Sequence, residues 1–224
     1  MEDREQGKWV FGLLWVAANT LGWGTLIIVS MAAGWLVWVT YDNSSWGPTY
    51  RLLSSELVRT LIALVTAGLC WGAIIGVLQQ FILRRRIELE GMKWVLATSI
   101  GLTVYTAVQT LVPALAAGSL PFRLYQMLSG VCKFAAPFAF GTTQWFLLRR
   151  YMTRAGWWVA AVAVASWLSY FVLLTLTTGL LRTSVFVGMY VAEGAIYSAA
   201  TLVALAIMRR RPTAAVEQVV VEDE

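Results

Sequence analysis

The chain contains no histidine. That removes the usual axial ligand of haem, the commonest zinc ligand and the most usual general base. Charge is scarce too: 13% of the 224 residues are charged while 59% are hydrophobic, whereas a soluble domain carries about a quarter charged residues. A surface so poor in charge is not kept wet, so the composition excludes a soluble globular domain and calls for lipid as solvent. Cysteine is limited to Cys70 and Cys132, which lie in apolar runs without paired spacing and read as small buried residues, not as a disulfide framework. No aspartate falls inside an apolar run. Hydrolysis within a membrane needs a serine with a base, paired aspartates or a metal motif, and none can be assembled here. Neither enzyme activity nor a metal or other cofactor is expected.

What the chain does have is apolar length. About 20 residues at ~1.5 Å each span ~30 Å of hydrocarbon, and six such runs occur, roughly at 10–40, 60–83, 94–117, 127–148, 157–181 and 185–208. The first is longer than a span requires, which suits one tilted helix or a helix that projects beyond the bilayer. Its leading stretch, MEDREQGKWV, lacks the basic start, short apolar core and small-residue cut site of a cleavable signal, so it reads as an uncleaved first span. Of the 17 lysines and arginines, 12 fall at one set of run ends and 5 at the other. By the positive-inside rule both termini are cytoplasmic, as an even number of spans requires. The expected location is the cell membrane, multi-pass. The basic face would attract anionic lipid headgroups; nucleic acid is not an expected partner, because the arginines are dispersed over three loop ends.

The runs are related to one another. GAIIGVLQQFILRR (72–85) aligns with PFAFGTTQWFLLRR (137–150), matching Gly76 with Gly141 and Gln79 with Gln144 before an arginine block. GAIYSAATLVALAIMRRR (194–211) is a weaker third copy, with Ser198 for the glycine and Thr201 for the glutamine. The odd runs share a different opening, WVAANTLGW (15–23), WVLATSIGL (94–102) and WVAAVAVAS (158–166). The unit is a helical hairpin used three times, over about 9–86, 93–150 and 156–211, and parallel repeats of this kind pack about an axis along the membrane normal. The expected fold is therefore all-α: a polytopic integral membrane protein of six transmembrane helices arranged as three repeated hairpins. The remaining 212–224 form a short acidic tail, expected to be disordered, that opens on the helix-stopping Pro212.

These motifs resemble those of a group of uncharacterised bacterial multi-span membrane proteins built on G-x-x-Q-W-x-x-L-R and W-V-x-A repeats. The resemblance covers most of the chain and implies the multi-span helical architecture. It departs at Gln80, where the pattern has tryptophan, and in the third copy, which has no glutamine.

At 100° per residue Gly72, Gly76, Gln79 and Leu83 fall within about 60° of one another, and Pro137, Gly141, Gln144 and Leu148 trace the same stripe. In lipid no hydrophobic force draws helices together, so small residues that permit close approach mark the contact face; Gly72, Gly76, Gly141, Gly194 and Ser198 are the candidates for it. A glutamine on that face must find hydrogen-bonding partners inside the bundle, since acyl chains offer none. Gln79, Gln144 and Thr201 thus have two readings: fasteners between helices, or the lining of the cytoplasmic end of a central cavity, where they would hydrogen-bond a ligand or translocated solute. Lys133 and Glu193 stand several residues inside the fourth and sixth runs, where charge is expensive. They would pair with each other, or Lys133 would snorkel to the interface, or the two would form an outward-facing polar pocket, which Asn19, Thr98, Ser99, Tyr105 and Gln109 could extend. Trp94, Trp145, Trp157 and Trp158 fit an interfacial belt, while Trp23, Trp71 and Trp167 lie deeper. The expected function is a non-enzymatic, membrane-embedded binding or accessory component, partnered by lipid, another membrane protein or a small apolar ligand. The alternative is a small transporter that moves an apolar or amphipathic solute through a central cavity.

Overall fold

The structure is a computed structural model that describes residues 2–42, 56–87, 89–116, 120–177 and 184–210. Six helical rods make up nearly all of these residues. α1 (Glu2–Asp42) is one uninterrupted helix, as a run without proline allows. α2 (Glu56–Leu83) ends at the arginine block, where the Ile87 amide turns back to the Leu83 carbonyl at 2.8 Å. α3 (Gly91–Thr106) passes through a wider π turn, Ala107–Leu111, into α4 (Val112–Ala116). Pro113 accounts for that turn: its ring collides with the carbonyl four residues back and it lacks an N–H, so the coil widens to admit it. α5 (Phe122–Tyr151) starts directly after Pro121 and carries Pro137 in its interior. α6 (Gly156–Thr177) and α7 (Ser184–Ile207) complete the set. A two-residue antiparallel pairing of β1 (Met152–Thr153) with β2 (Arg209–Arg210) ties the ends of α5 and α7 together. The tail at 212–224 lies outside the described residues.

The fold is thus an all-helical bundle. Among the described residues one helix, over Leu61–Leu83, is long and apolar enough to cross a membrane; Gly156–Val172 and Val191–Ile207 are shorter apolar helices.

Each rod packs on its neighbours in sequence, α1 on α2, α2 on α3, α3 on α5, α5 on α6 and α6 on α7, and α7 returns to α1 to close a ring. Small residues set these contacts, and the same contact recurs. A Cβ added at Gly76 would lie 2.9 Å from the Val95 Cα, and one at Gly141 would lie 3.0 Å from the Val159 Cα. Val95 and Val159 each follow the tryptophan that opens the odd-run motif. Likewise a Cβ at Gly72 would strike the Ser99 backbone, and one at Gly194 would lie 2.7 Å from the Thr20 Cα. Ser99 and Thr20 occupy equal places in their copies of that motif. The last hairpin therefore meets the first as the first meets the second.

The interior is filled mainly by rings. On the arginine side of the glutamines, Trp158 stands edge-on to both Trp15 (6.1 Å) and Trp94 (5.9 Å), and Phe11 stacks on Trp15. On the other side, Trp23 meets Trp71 at 4.8 Å and Tyr197 at 5.7 Å, and Phe140 stacks on Tyr197. Trp94 and Trp158, which suit an interfacial belt by sequence, are thus core residues with no exposed surface. An amphipathic indole fits either setting, and here the Trp158 N–H finds a partner inside while that of Trp94 is buried without one; Trp157, one residue from Trp158 and 100° round the helix, is exposed. The outside of the bundle is apolar: Val77, Phe81, Ile100, Val131, Val164 and Val203 are all exposed.

Candidate functional site

Between the two aromatic layers lies a ring of hydrogen-bonding side chains drawn from all six rods. Each projects inward because it shares a stripe with the small residues that bring its helix close to the next. Gln144 of α5 is the hub. Its Nε2 donates to Thr98 Oγ1 of α3 (3.0 Å) and to Gln79 Oε1 of α2 (3.3 Å). Its Oε1 accepts from Trp158 Nε1 of α6 (2.8 Å) and from the Tyr197 hydroxyl of α7 (3.5 Å). Gln79 Nε2 donates to Asn19 Oδ1 of α1 (2.7 Å), and Asn19 Nδ2 donates to the Trp15 carbonyl (2.9 Å). The Trp15 indole donates to Thr201 Oγ1 of α7 (2.9 Å), whose own proton goes to the Tyr197 carbonyl (2.7 Å). Asn19, Gln79, Thr98, Gln144, Trp158 and Thr201 have no exposed surface.

This network is saturated at its hub. A primary amide offers two donors and two acceptor lone pairs, and Gln144 uses all four. Its orientation is fixed as well: indole N–H donates and never accepts, so the oxygen must face Trp158. A ligand entering here would have to displace bonds already made. The members are amides, hydroxyls, a phenol and indoles, groups that carry no formal charge at neutral pH. Among the described residues no group of three or more histidine, cysteine, aspartate or glutamate residues is placed to hold a metal.

Of the residues singled out by sequence, the structure brings Gln79, Gln144 and Thr201 together and sets Gly72, Gly76, Gly141 and Gly194 at helix contacts. Ser198 is buried, with its hydroxyl bonded to the Gly194 carbonyl at 2.6 Å. Lys133 and Glu193 stand apart from the ring. Lys133 is half-buried with its Nζ 5.0 Å from the centre of the Tyr170 ring, a cation–π contact between α5 and α6. No ion pair joins it to Glu193 among the described residues. A lysine on this stem can reach the flank of its helix, so its helical phase alone did not fix where the charge would lie.

Sequence reasoning assigned no ring role to Trp15, Trp158 and Tyr197. The signal was present: Trp15, Trp94 and Trp158 open the three odd-run motifs, and Tyr197 lies one turn before Thr201 as Ile75 and Phe140 lie one turn before the glutamines. No protein-family model, curated protein or solved structure matches this chain.

Proposed function

We propose that the chain is a non-enzymatic, multi-pass integral membrane protein with cytoplasmic termini, acting as a membrane-embedded accessory or scaffold component, and that its polar ring fastens the helices and binds no solute. The observation that carries this reading is the saturation of Gln144, with every donor and acceptor engaged by a neighbouring rod. The distribution of polarity supports the membrane setting: hydrogen-bonding side chains are gathered at the centre while the surface is lined by residues such as Val77, Phe81, Ile100, Val131 and Val203. That is the reverse of a water-soluble bundle. The arginines at 84–86, 149–150 and 209–211 then mark the cytoplasmic boundary and offer anionic headgroups their contacts.

Two measurements test this. Alkaline carbonate washing should leave the chain in the membrane fraction, and native mass spectrometry of gently solubilised protein should give a central species of chain mass, carrying at most lipid. A stoichiometric small molecule that is lost on Gln144→Leu with unchanged stability would favour the transporter reading instead.

A further inference from the structure

On the outside of the bundle α2 and α5 end alike. Counted from their glutamines, Phe81 and Phe146 stand two residues on, and Arg84 and Arg149 five residues on. All four side chains are exposed, the two rings at 52% and 50%. A spacing of three puts ring and arginine on one helix face, and the contact is made in both copies. The Arg84 guanidinium carbon lies 4.2 Å from the centre of the Phe81 ring, and that of Arg149 lies 5.0 Å from the centre of the Phe146 ring. Each pair gathers one further group: Arg85 reaches the same Phe81 ring at 5.8 Å, and Arg149 also meets the Trp145 ring at 5.4 Å. α7 departs from the pattern, with exposed Val203 and Ala206 at the corresponding places.

Stacking on a ring one turn back holds each guanidinium against apolar surface, where a freely extended arginine would reach into water. The ring covers one face of the planar cation and leaves the N–H groups at its edge in the fork that grips a phosphate at two points. No hydrogen bond or ion pair engages the guanidinium of Arg84, Arg85 or Arg149 among the described residues. The charge of each stack is therefore not cancelled by a neighbouring carboxylate there.

We infer that Phe81 with Arg84 and Arg85, and Phe146 with Trp145 and Arg149, are two discrete binding sites for phospholipids of net negative charge. The phosphate takes the edge of the guanidinium, and an acyl chain runs along the exposed ring and the apolar face below it. A zwitterionic headgroup would bring its own ammonium beside these cations, whereas a net negative one does not. The inference rests on the membrane reading, and it differs from a general attraction between basic ends and headgroups in requiring a ring beneath the cation. Arg209 is exposed too but has no ring contact among the described residues.

The test uses the full chain in neutral detergent micelles, read by native mass spectrometry as phosphatidylglycerol or phosphatidylcholine with the same acyl chains is added. The expected result is two tightly bound phosphatidylglycerol molecules per chain, with phosphatidylcholine weaker by about fivefold, the factor that one arginine contributes near an anionic surface. Phe146→Leu, which keeps apolar bulk and removes the ring, should weaken one of the two sites about threefold. Arg149→Gln should remove one lipid, and Arg84→Gln with Arg85→Gln the other, while Arg209→Gln should leave both. Equal binding of the two lipids overturns the inference, as does a loss on Arg209→Gln as large as that on Arg149→Gln. Displacement of the lipid by inorganic phosphate at equal concentration overturns it as well, because the ligand would then be a soluble anion. A chain that stays in carbonate-washed membranes but does not prefer phosphatidylglycerol ends this inference alone; release into the soluble fraction ends the membrane reading with it.

Discussion

Gln144→Leu is the sharpest test of the fastening role, because it keeps the side chain's bulk and removes all four hydrogen bonds at once. The bonds are unequal: those to Trp158 (2.8 Å) and Thr98 (3.0 Å) are short, while those to Gln79 (3.3 Å) and Tyr197 (3.5 Å) are long. Thr98 can swing its hydroxyl to a carbonyl in its own helix, as Thr103 and Thr106 do at 2.8 and 3.0 Å, so its loss is small. The Trp158 indole has no such recourse, and a stranded buried donor costs about 1–3 kcal/mol. Each weaker bond adds about 0.6 kcal/mol, the average for interhelical bonds in membranes. The expected loss is therefore about 2–4 kcal/mol, read as a shift in reversible unfolding in mixed detergent–denaturant micelles. A double-mutant cycle apportions it: Gln144 with Trp158 should couple by about 1–2 kcal/mol and Gln144 with Gln79 by about 0.5 kcal/mol. Stability within about 0.5 kcal/mol of the unaltered chain, or a stronger coupling to Gln79 than to Trp158, would refute the reasoning.

Trp94 and Trp158 are equally buried, but only the Trp158 indole N–H has a partner; that of Trp94 has none. Replacement by phenylalanine should thus cost Trp158 more than Trp94 by about 1–2 kcal/mol in the same unfolding assay. Gly72→Ala places a methyl group against the Ser99 backbone, which cannot rotate away, and should destabilise by about 1–3 kcal/mol, with cysteine cross-linking reporting a wider α2–α3 spacing. Cys70 is exposed on the outside of the bundle and Cys132 is buried. On the proposed membrane reading a charged, impermeant maleimide should label neither in intact vesicles, because lipid covers the Cys70 face and the bundle encloses Cys132; labelling of Cys70 would mean that its face meets water.

The helices were legible because each is a long apolar run with its ends marked by arginine, glycine or proline. The run at 60–83 appears as α2, Glu56–Leu83, and that at 157–181 as α6, Gly156–Thr177. The π turn was not legible: Pro113 near the end of an apolar run reads equally as a helix end or a local widening, and only the packing of α3 against α5 decides. Gln79 and Gln144 were found because a polar side chain on a glycine stripe has one place to go. Their partners were harder to find. Trp158 and Tyr197 are amphipathic, and a one-dimensional pattern does not separate an indole at the membrane surface from one whose N–H is turned inward. Lys133 shows the same limit from the other side, since its phase matches Gln144 while its ammonium reaches Tyr170.

The ring also explains why the Trp94 indole goes without a partner. The threefold pattern offers three indoles and three receiving positions, each on the even helix that packs against that indole's rod. Thr201 receives Trp15 across the α7–α1 contact, and Gln144 receives Trp158 across α5–α6. Gln79 would receive Trp94 across α2–α3, but its carbonyl oxygen is turned to Gln144 and its amide to Asn19. Full symmetry would leave each glutamine bound only to its own neighbour, with nothing passing through the axis. Giving up one indole bond joins the first hairpin to the second through the centre, and the Tyr197 hydroxyl joins the third to both at Gln144. The unpaired Trp94 N–H, about 1–3 kcal/mol of unfavourable burial, is in this view the cost of linking three separate pairs into one network.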